Sequence, residues 1–228
     1  YKVGDLYVVN GEPLGLVYEI SDGGAHGKVV ALKAHRDLNL WYRTGLPYDE
    51  IHPEDPNNVG VIARSETDGQ ENMKAYKQIP DWKTHYPVAA YVSDLNDENG
   101  NPGWYLPAIK EVQAMVGWID GEVLSPDGEA GQEPSEAMKE KRKAINQLIV
   151  DNGGNEFYFY GYDVSFIIDQ TNAWEADYFN RIYTSTETDY QVHPMVFKFF
   201  LRNGWWETMH VYGDLAGSYG EVRPFLAF

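Results

Sequence analysis

Apolar and polar positions along this chain fall into two kinds of period, and each predicts a different element. In the first third, Leu6–Val9, Leu14–Ile20 and Lys28–Lys33 are β-branched or apolar runs. Asn10-Gly11 and Ser21-Asp-Gly-Gly24 separate them with turn chemistry, which predicts a meander of strands. Further along the spacing becomes helical. Leu106, Ile109, Val112, Val116 and Ile119 make one apolar stripe, with Lys110, Glu111 and Gln113 left for other faces. They predict a buried helix after Gly103-Trp-Tyr-Leu106, itself a strand or turn, with Pro107 at the first helical position. Asp68-x-x-Glu71 reads as a capping box for a helix through Met73, Tyr76 and Ile79 that ends before Pro80. Another helix starts near Pro87 and carries Val88, Tyr91, Val92 and Leu95. A last one runs from an N-cap at Ser135 through Met138, Ile145, Leu148 and Ile149 to Asn152-Gly153-Gly154.

Strand patterning returns in the final third. Met195–Arg202 and Trp205–Tyr212 flank Asn203-Gly204, the strongest short hairpin signal. A two-residue turn there sets Leu201 opposite Trp206, Phe199 opposite Thr208, Phe197 opposite His210 and Met195 opposite Tyr212 on a core face. The other face pairs Arg202 with Trp205, Phe200 with Glu207 and Lys198 with Met209. Arg202 over Trp205 reads as a cation–π stack, worth roughly 0.5–1 kcal/mol when exposed, with a ligand-binding pair as the alternative. Glu221–Phe228 reads as the closing strand, and Pro224 places it at an edge or bulge. Three stretches have neither period: 43–66 with its prolines, the Gly-, Pro- and acid-rich 121–134, and 155–180. The last holds a dense aromatic cluster from Phe157 to Phe179, some of it core, and reads as a loop or a set of short strands.

Several short segments together resemble a known family. They are Tyr1-Lys-Val-Gly-Asp5, Gly15-Leu-Val-Tyr-Glu-Ile-Ser-Asp22, His26-Gly-Lys-Val-Val-Ala-Leu32, Asp68-Gly-Gln-Glu-Asn72 and Tyr86-Pro-Val-Ala-Ala90. Gly103-Trp-Tyr-Leu-Pro107 before the stripe, Ile145-Asn-Gln-Leu148 before Gly153-Gly154, Ser185-Thr-Glu187 and Val222-Arg-Pro224 follow in order. In that order they resemble the C-type-lectin-like domain of bacterial surface proteins, the "major paralogous domain" type found at the C-terminus of collagen-like adhesins. The resemblance spans Tyr1 to Phe228 and implies an α+β fold, with two main helices packed on twisted antiparallel sheets and the termini close together. It implies one domain over 1–228, with insertions at about 43–66, 121–134 and 155–180, the last being where such folds place ligand-facing loops. The Glu-Pro-Asn and Trp-Asn-Asp triplets by which animal-type lectins hold calcium are absent, so calcium-dependent sugar binding is not implied.

Composition narrows the function classes. With 43% apolar and 23% charged residues the chain is globular. Its 228 residues suffice for one large domain or two small ones. A formal net charge of −17 argues against nucleic acid and against docking on an anionic membrane, both of which want basic patches. No apolar run approaches the roughly 18 residues of a membrane span, so no direct membrane insertion is expected. No signal peptide is read at Tyr1. An export signal or lipid anchor is expected upstream, on an extracellular or outer-membrane surface protein. Zero cysteines exclude thiolate nucleophiles, cysteine zinc sites and iron–sulfur clusters, and also the paired-cysteine chemistry of the formylglycine-generating oxidases that share the broad fold. No cofactor is expected.

The remaining chemistry is weighed residue by residue. Asp94-Leu-Asn-Asp-Glu-Asn-Gly-Asn101 alternates carboxylates and amides, which makes Asp94, Asn96 and Glu98 weak calcium candidates. The twelfth position from Asp94 is Tyr105 rather than the glutamate of an EF-hand, and a turn is the better reading. His26 reads as a local hydrogen-bonding group in a turn. Ser185 lacks the Gly-x-Ser-x-Gly elbow of a nucleophile. Glu187 with Asp189, or Glu175 with Asp177, would serve a glycosidase only at a defined separation that chance readily supplies among 35 carboxylates. The 17 tyrosines and 7 tryptophans, many without core periodicity, instead point to contact surface of low entropy cost. The expected function is therefore a non-enzymatic adhesion or ligand-binding module of a bacterial lipoprotein or pilus tip. Its partner would be a host or bacterial glycan or surface protein, bound by Trp174, Tyr178, Tyr190, His193, Arg202, Trp205 and Glu207. The alternatives are an assembly module of a surface fibre and a glycan-active hydrolase.

Overall fold

A computed structural model of the chain describes residues 1–35, 63–98, 102–120, 135–157, 181–187, 194–200, 205–210 and 221–228. The meander is present as β1 (Leu6–Val9), β2 (Glu12–Ser21) and β3 (His26–Ala31). Asn10 and Gly11 join β1 to β2 with φ of 53° and 87°, the double left-handed geometry of a type I′ hairpin turn. A short 3₁₀ turn at Asp22–Gly24 leads into β3.

Five described helices follow: α1 (Gly69–Tyr76), α2 (Trp82–His85), α3 (Pro87–Glu98), α4 (Ile109–Asp120) and α5 (Glu136–Asp151). Asp68 caps α1 by accepting the Glu71 N–H at 3.0 Å, as the capping-box pattern requires. The helix ends at Tyr76 and stops short of Ile79. The Gln78 and Ile79 N–H groups instead reach back three residues, to Ala75 and Tyr76, tightening the chain out of the α-helix. The short α2 was not legible in the sequence. Its first residue follows Asp81, held at a left-handed φ of 53°. The run from Asp94, expected as a turn, is helical through Glu98.

The stripe on α4 is core as expected: Leu106, Ile109, Val112, Val116 and Ile119 are all buried, and Met115 joins them. Burying each such side chain stabilises by about 1.5–3 kcal/mol. Pro107 is not the first helical residue, because Ala108 takes the cap position. The Ala108 N–H donates to Glu111 Oε2 at 2.9 Å, and the Pro107 carbonyl leaves the helix line to accept the Ser185 N–H at 2.7 Å. Glu111, left off the apolar stripe, is nonetheless buried at 4% exposure. On α5, Ser135 Oγ accepts the Met138 N–H, and the helix closes at Gly153, φ 74°, with the Gly154 N–H returning to the Ile149 carbonyl.

The C-terminal strands are β4 (Arg181–Glu187), β5 (Pro194–Phe200), β6 (Trp205–His210) and β7 (Phe225–Ala227). They divide between two antiparallel sheets, in order β1-β2-β3-β7 and β4-β5-β6. The hairpin register differs from the expected one by two residues. Phe199 lies opposite Trp206, Phe197 opposite Thr208 and Met195 opposite His210, while Phe200 faces Trp205 and Lys198 faces Glu207. Four residues therefore connect the strands, and Trp205 lies opposite Phe200. The alternation of faces survives, since a shift of two preserves it.

The sheets meet where Val222 bridges His35 and Glu221 bridges Ile182. Packing of α4 against β2 on one side and β4 and β5 on the other puts the core between them. The described architecture is α+β, and the two chain ends lie together: the Tyr1 and Phe228 rings are 5.1 Å apart. No described helix is long and apolar enough to cross a membrane.

Candidate functional site

Trp174, Tyr178, Tyr190, His193 and Arg202 lie outside the described residues. Trp205 and Glu207 sit two apart on β6, at register positions opposite Phe200 and Lys198. Two of the three calcium candidates are engaged otherwise, and the Glu98 side chain lies outside the described residues. Asp94 pairs with Lys83. Asn96 is buried, its amide accepting the Trp104 N–H at 2.7 Å and donating to the Trp104 carbonyl at 2.6 Å. Among the described residues no group of three or more carboxylates or histidines is placed to hold a metal ion. Ser185 and Glu187 are likewise structural. The Ser185 hydroxyl accepts from Asn72 Nδ2 at 2.9 Å and is fully buried, and Glu187 Oε2 accepts the Ala63 N–H at 3.0 Å.

What the fold does assemble is a groove of about 350 Å³ between the first sheet and the helices. Its aliphatic side comes from Leu14 on β2, Leu32 just past β3 and Leu95 on α3, and its aromatic side from Tyr91 and Trp104. Tyr91 and Leu95 are four residues apart and share one face of α3. Exposed Glu12 and Lys33, with half-buried Asn152 at the end of α5, supply a carboxylate, an ammonium and an amide at the mouth.

Each wall is fixed before any ligand arrives. The Asn96 amide clamps Trp104. Tyr91 stacks on His35 with ring centroids 4.5 Å apart. The end of α5 is tied to β3, because the Asn155 N–H donates to the Leu32 carbonyl at 2.9 Å and Asn155 Oδ1 accepts the Ala34 N–H at 2.9 Å. The β2 wall is held by the Leu32 N–H on the Leu14 carbonyl at 3.0 Å.

Two buried charged groups stiffen the frame behind it. Glu111 accepts the Tyr105 hydroxyl at 2.8 Å, the Gly69 N–H at 3.0 Å and the Ala108 N–H, and pairs with Lys28 at 3.0 Å. Burial, and then the neighbouring Glu111 carboxylate, push the Tyr105 hydroxyl far above the usual tyrosine range. Arg223, with no exposed surface, pairs with Glu221 at 2.5 Å and donates to the carbonyls of Ala31, Leu32 and Asn155. Its guanidinium lies 4.1 Å from the centre of the Phe157 ring.

The groove brings aromatic, aliphatic and mixed-charge side chains together. Sequence reasoning missed it because its residues come from five separate segments between Glu12 and Gly153, each with an ordinary local explanation. Trp104 read as part of the entry to α4, Tyr91 and Leu95 as core periodicity, and Asn152-Gly153 as a helix stop. Compared with family models, with curated proteins and with solved structures, the chain has no significant match.

Proposed function

We propose that this chain is a non-enzymatic ligand-binding module of C-type-lectin-like type, carried on a bacterial lipoprotein or pilus tip at the extracellular or outer-membrane surface. Its ligand is a glycan or a surface protein. The observation that carries this reading is the preformed groove: a concave site of ligand size, with mostly apolar walls and a few polar groups at its mouth. Each wall is held by its own hydrogen bond or ring stack, so binding does not have to order the site. Nucleic acid is not the partner, since a net charge of −17 repels phosphates. The hydrolase alternative has less support, since the Ser185 hydroxyl and Glu187 Oε2 are both buried and hydrogen-bonded in the core.

The assembly-module reading rests on a different observation. Among the described residues β1 has a strand neighbour on one side only, and an open edge of this kind joins strands between subunits. An array of glycans and surface proteins probed with the purified chain, with calcium and with chelator, separates the two. Saturable calcium-independent binding by a monomer supports the binding module. No binding together with concentration-dependent self-association supports assembly.

A further inference from the structure

We propose that the open edge of β1 is a docking strip for an extended segment of another protein, basic and apolar by turns, which adds to the first sheet as a further strand. The strip shares only Glu12 with the groove, so neither reading depends on the other.

The first sheet is closed at one edge and open at the other. Beyond β7, Tyr105 exchanges both backbone bonds with Phe225, at 2.8 and 2.9 Å. Among the described residues no strand pairs with the outer side of β1. Such an edge presents N–H and C=O groups at the spacing that a second extended backbone matches. Leu6–Val9 carries neither proline nor charge, two common guards of an edge. The Tyr1 hydroxyl reaches the Val8 carbonyl at 3.4 Å, a long and exposed bond that is readily replaced. The four-residue length of β1 and its bulge at Tyr7/Val8 keep the added strand short.

Side chains beside the edge set the chemistry of the partner. Five large apolar residues are exposed among the described ones, and four of them, Tyr1, Val3, Val8 and Ile20, belong to β1, its lead-in and the far end of β2. Scattered apolar residues are ordinary on a surface, whereas this concentration marks a contact. Carboxylates are interleaved with them. Residues 1–22 hold four, Asp5, Glu12, Glu19 and Asp22, against the single cation Lys2. All four are exposed, and among the described residues none is in an ion pair. Lys28, opposite Glu19, pairs instead with Glu111.

A strand that alternates apolar and basic residues satisfies backbone, apolar surface and carboxylates together. A second copy of this chain fits less well, since it brings the same four carboxylates and a net charge of −17. Anionic lipid is repelled in the same way. A glycan has no repeating row of N–H and C=O groups to match the edge.

The test is fluorescence anisotropy of a labelled Lys-Val-Lys-Val-Lys-Val peptide titrated with the purified chain. One control is Glu-Val-Glu-Val-Glu-Val; the other is the basic peptide N-methylated throughout, which keeps its charge and has no N–H to pair. The basic peptide is expected to bind, less tightly as salt rises, and both controls to bind at least about tenfold more weakly. Val8→Lys puts a cation at an exposed position on the strip and weakens binding about tenfold. Asp5→Asn with Glu19→Gln keeps oxygens that accept hydrogen bonds, weakens binding several-fold and flattens the salt dependence. Binding of the N-methylated peptide as tight as that of its parent overturns the inference, because it shows attraction to the acidic surface at large. Equal binding of the acidic peptide, binding untouched by both variants, or no binding of any peptide overturns it too. A dimer of the free chain that Val8→Lys dissolves overturns the choice of partner and gives the edge to assembly. None of these variants alters a groove residue, so each failure leaves the groove reading to be decided by the array.

Discussion

Single side chains with many partners decide how firmly this framework is held. Glu111 joins β3, the start of α1 and the entry to α4 through Lys28, Gly69, Tyr105 and Ala108. Removing it orphans buried donors, each costing about 1–3 kcal/mol. Glu111→Ala is therefore expected to lower stability by about 3 kcal/mol in urea unfolding, and Glu111→Gln by less, since the amide oxygen still accepts. Arg223 poses the converse case. Arg223→Met leaves the Glu221 carboxylate buried without its cation and is expected to cost about 3–5 kcal/mol; Arg223→Met with Glu221→Met recovers part of that loss. Absence of any recovery would mean the guanidinium acts through its carbonyl bonds and not through the ion pair. Neither hub was legible in the sequence. Helical spacing sorts positions by side-chain type, so a glutamate off the stripe reads as surface, and only the tertiary fold brings residues 28, 69 and 105 to it.

At the scale of elements, local chemistry was a good guide wherever the signal and its structure lie within one turn. Ser135 and Asp68 cap helices, and Asn10-Gly11 makes the hairpin turn its sequence demands. Ser135→Ala is expected to cost about 1 kcal/mol in thermal or urea unfolding. Where several signals compete, the sequence left the answer open. Asn203-Gly204 marks a hairpin, yet four residues connect β5 to β6. Sliding one strand by two residues keeps every side chain on its face, so the hydrophobic pattern cannot tell the two registers apart. Cross-linking can, in a chain with no native cysteine. Residues directly opposite in an antiparallel pair have Cα atoms about 4.5–5.5 Å apart, within disulfide reach. Phe199→Cys with Trp206→Cys is expected to oxidise readily, and Leu201→Cys with Trp206→Cys to do so poorly. The reverse result would restore the two-residue turn.

For the molecule as a whole, the buried tyrosines set an alkaline limit. Burial raises Tyr18, Tyr76 and Tyr105 well above the ordinary tyrosine value. The folded state therefore keeps these protons when the unfolded chain, with values near 10, has begun to lose them. Their contribution is complete at neutral pH and is lost as pH climbs above about 10. Circular dichroism and tyrosinate absorbance should change together in that range; ionisation of all tyrosines before any loss of structure would contradict it. The α+β class was legible from periodicity. The groove was not, because it exists only where the start of β2, the end of β3, two helices and a connecting segment converge. One further property follows from the adjacency of the ends. β7 runs antiparallel to β3, and Phe228 exchanges backbone hydrogen bonds with Gly27 at the outermost rung. Tension applied between residues 1 and 228 loads those rungs one at a time, like a zipper, so β7 should peel at low force. The peeling then meets Arg223, whose bonds to Ala31, Leu32, Asn155 and Glu221 must break together, so optical-tweezers traces should show a soft first extension and then an abrupt, much stiffer rupture.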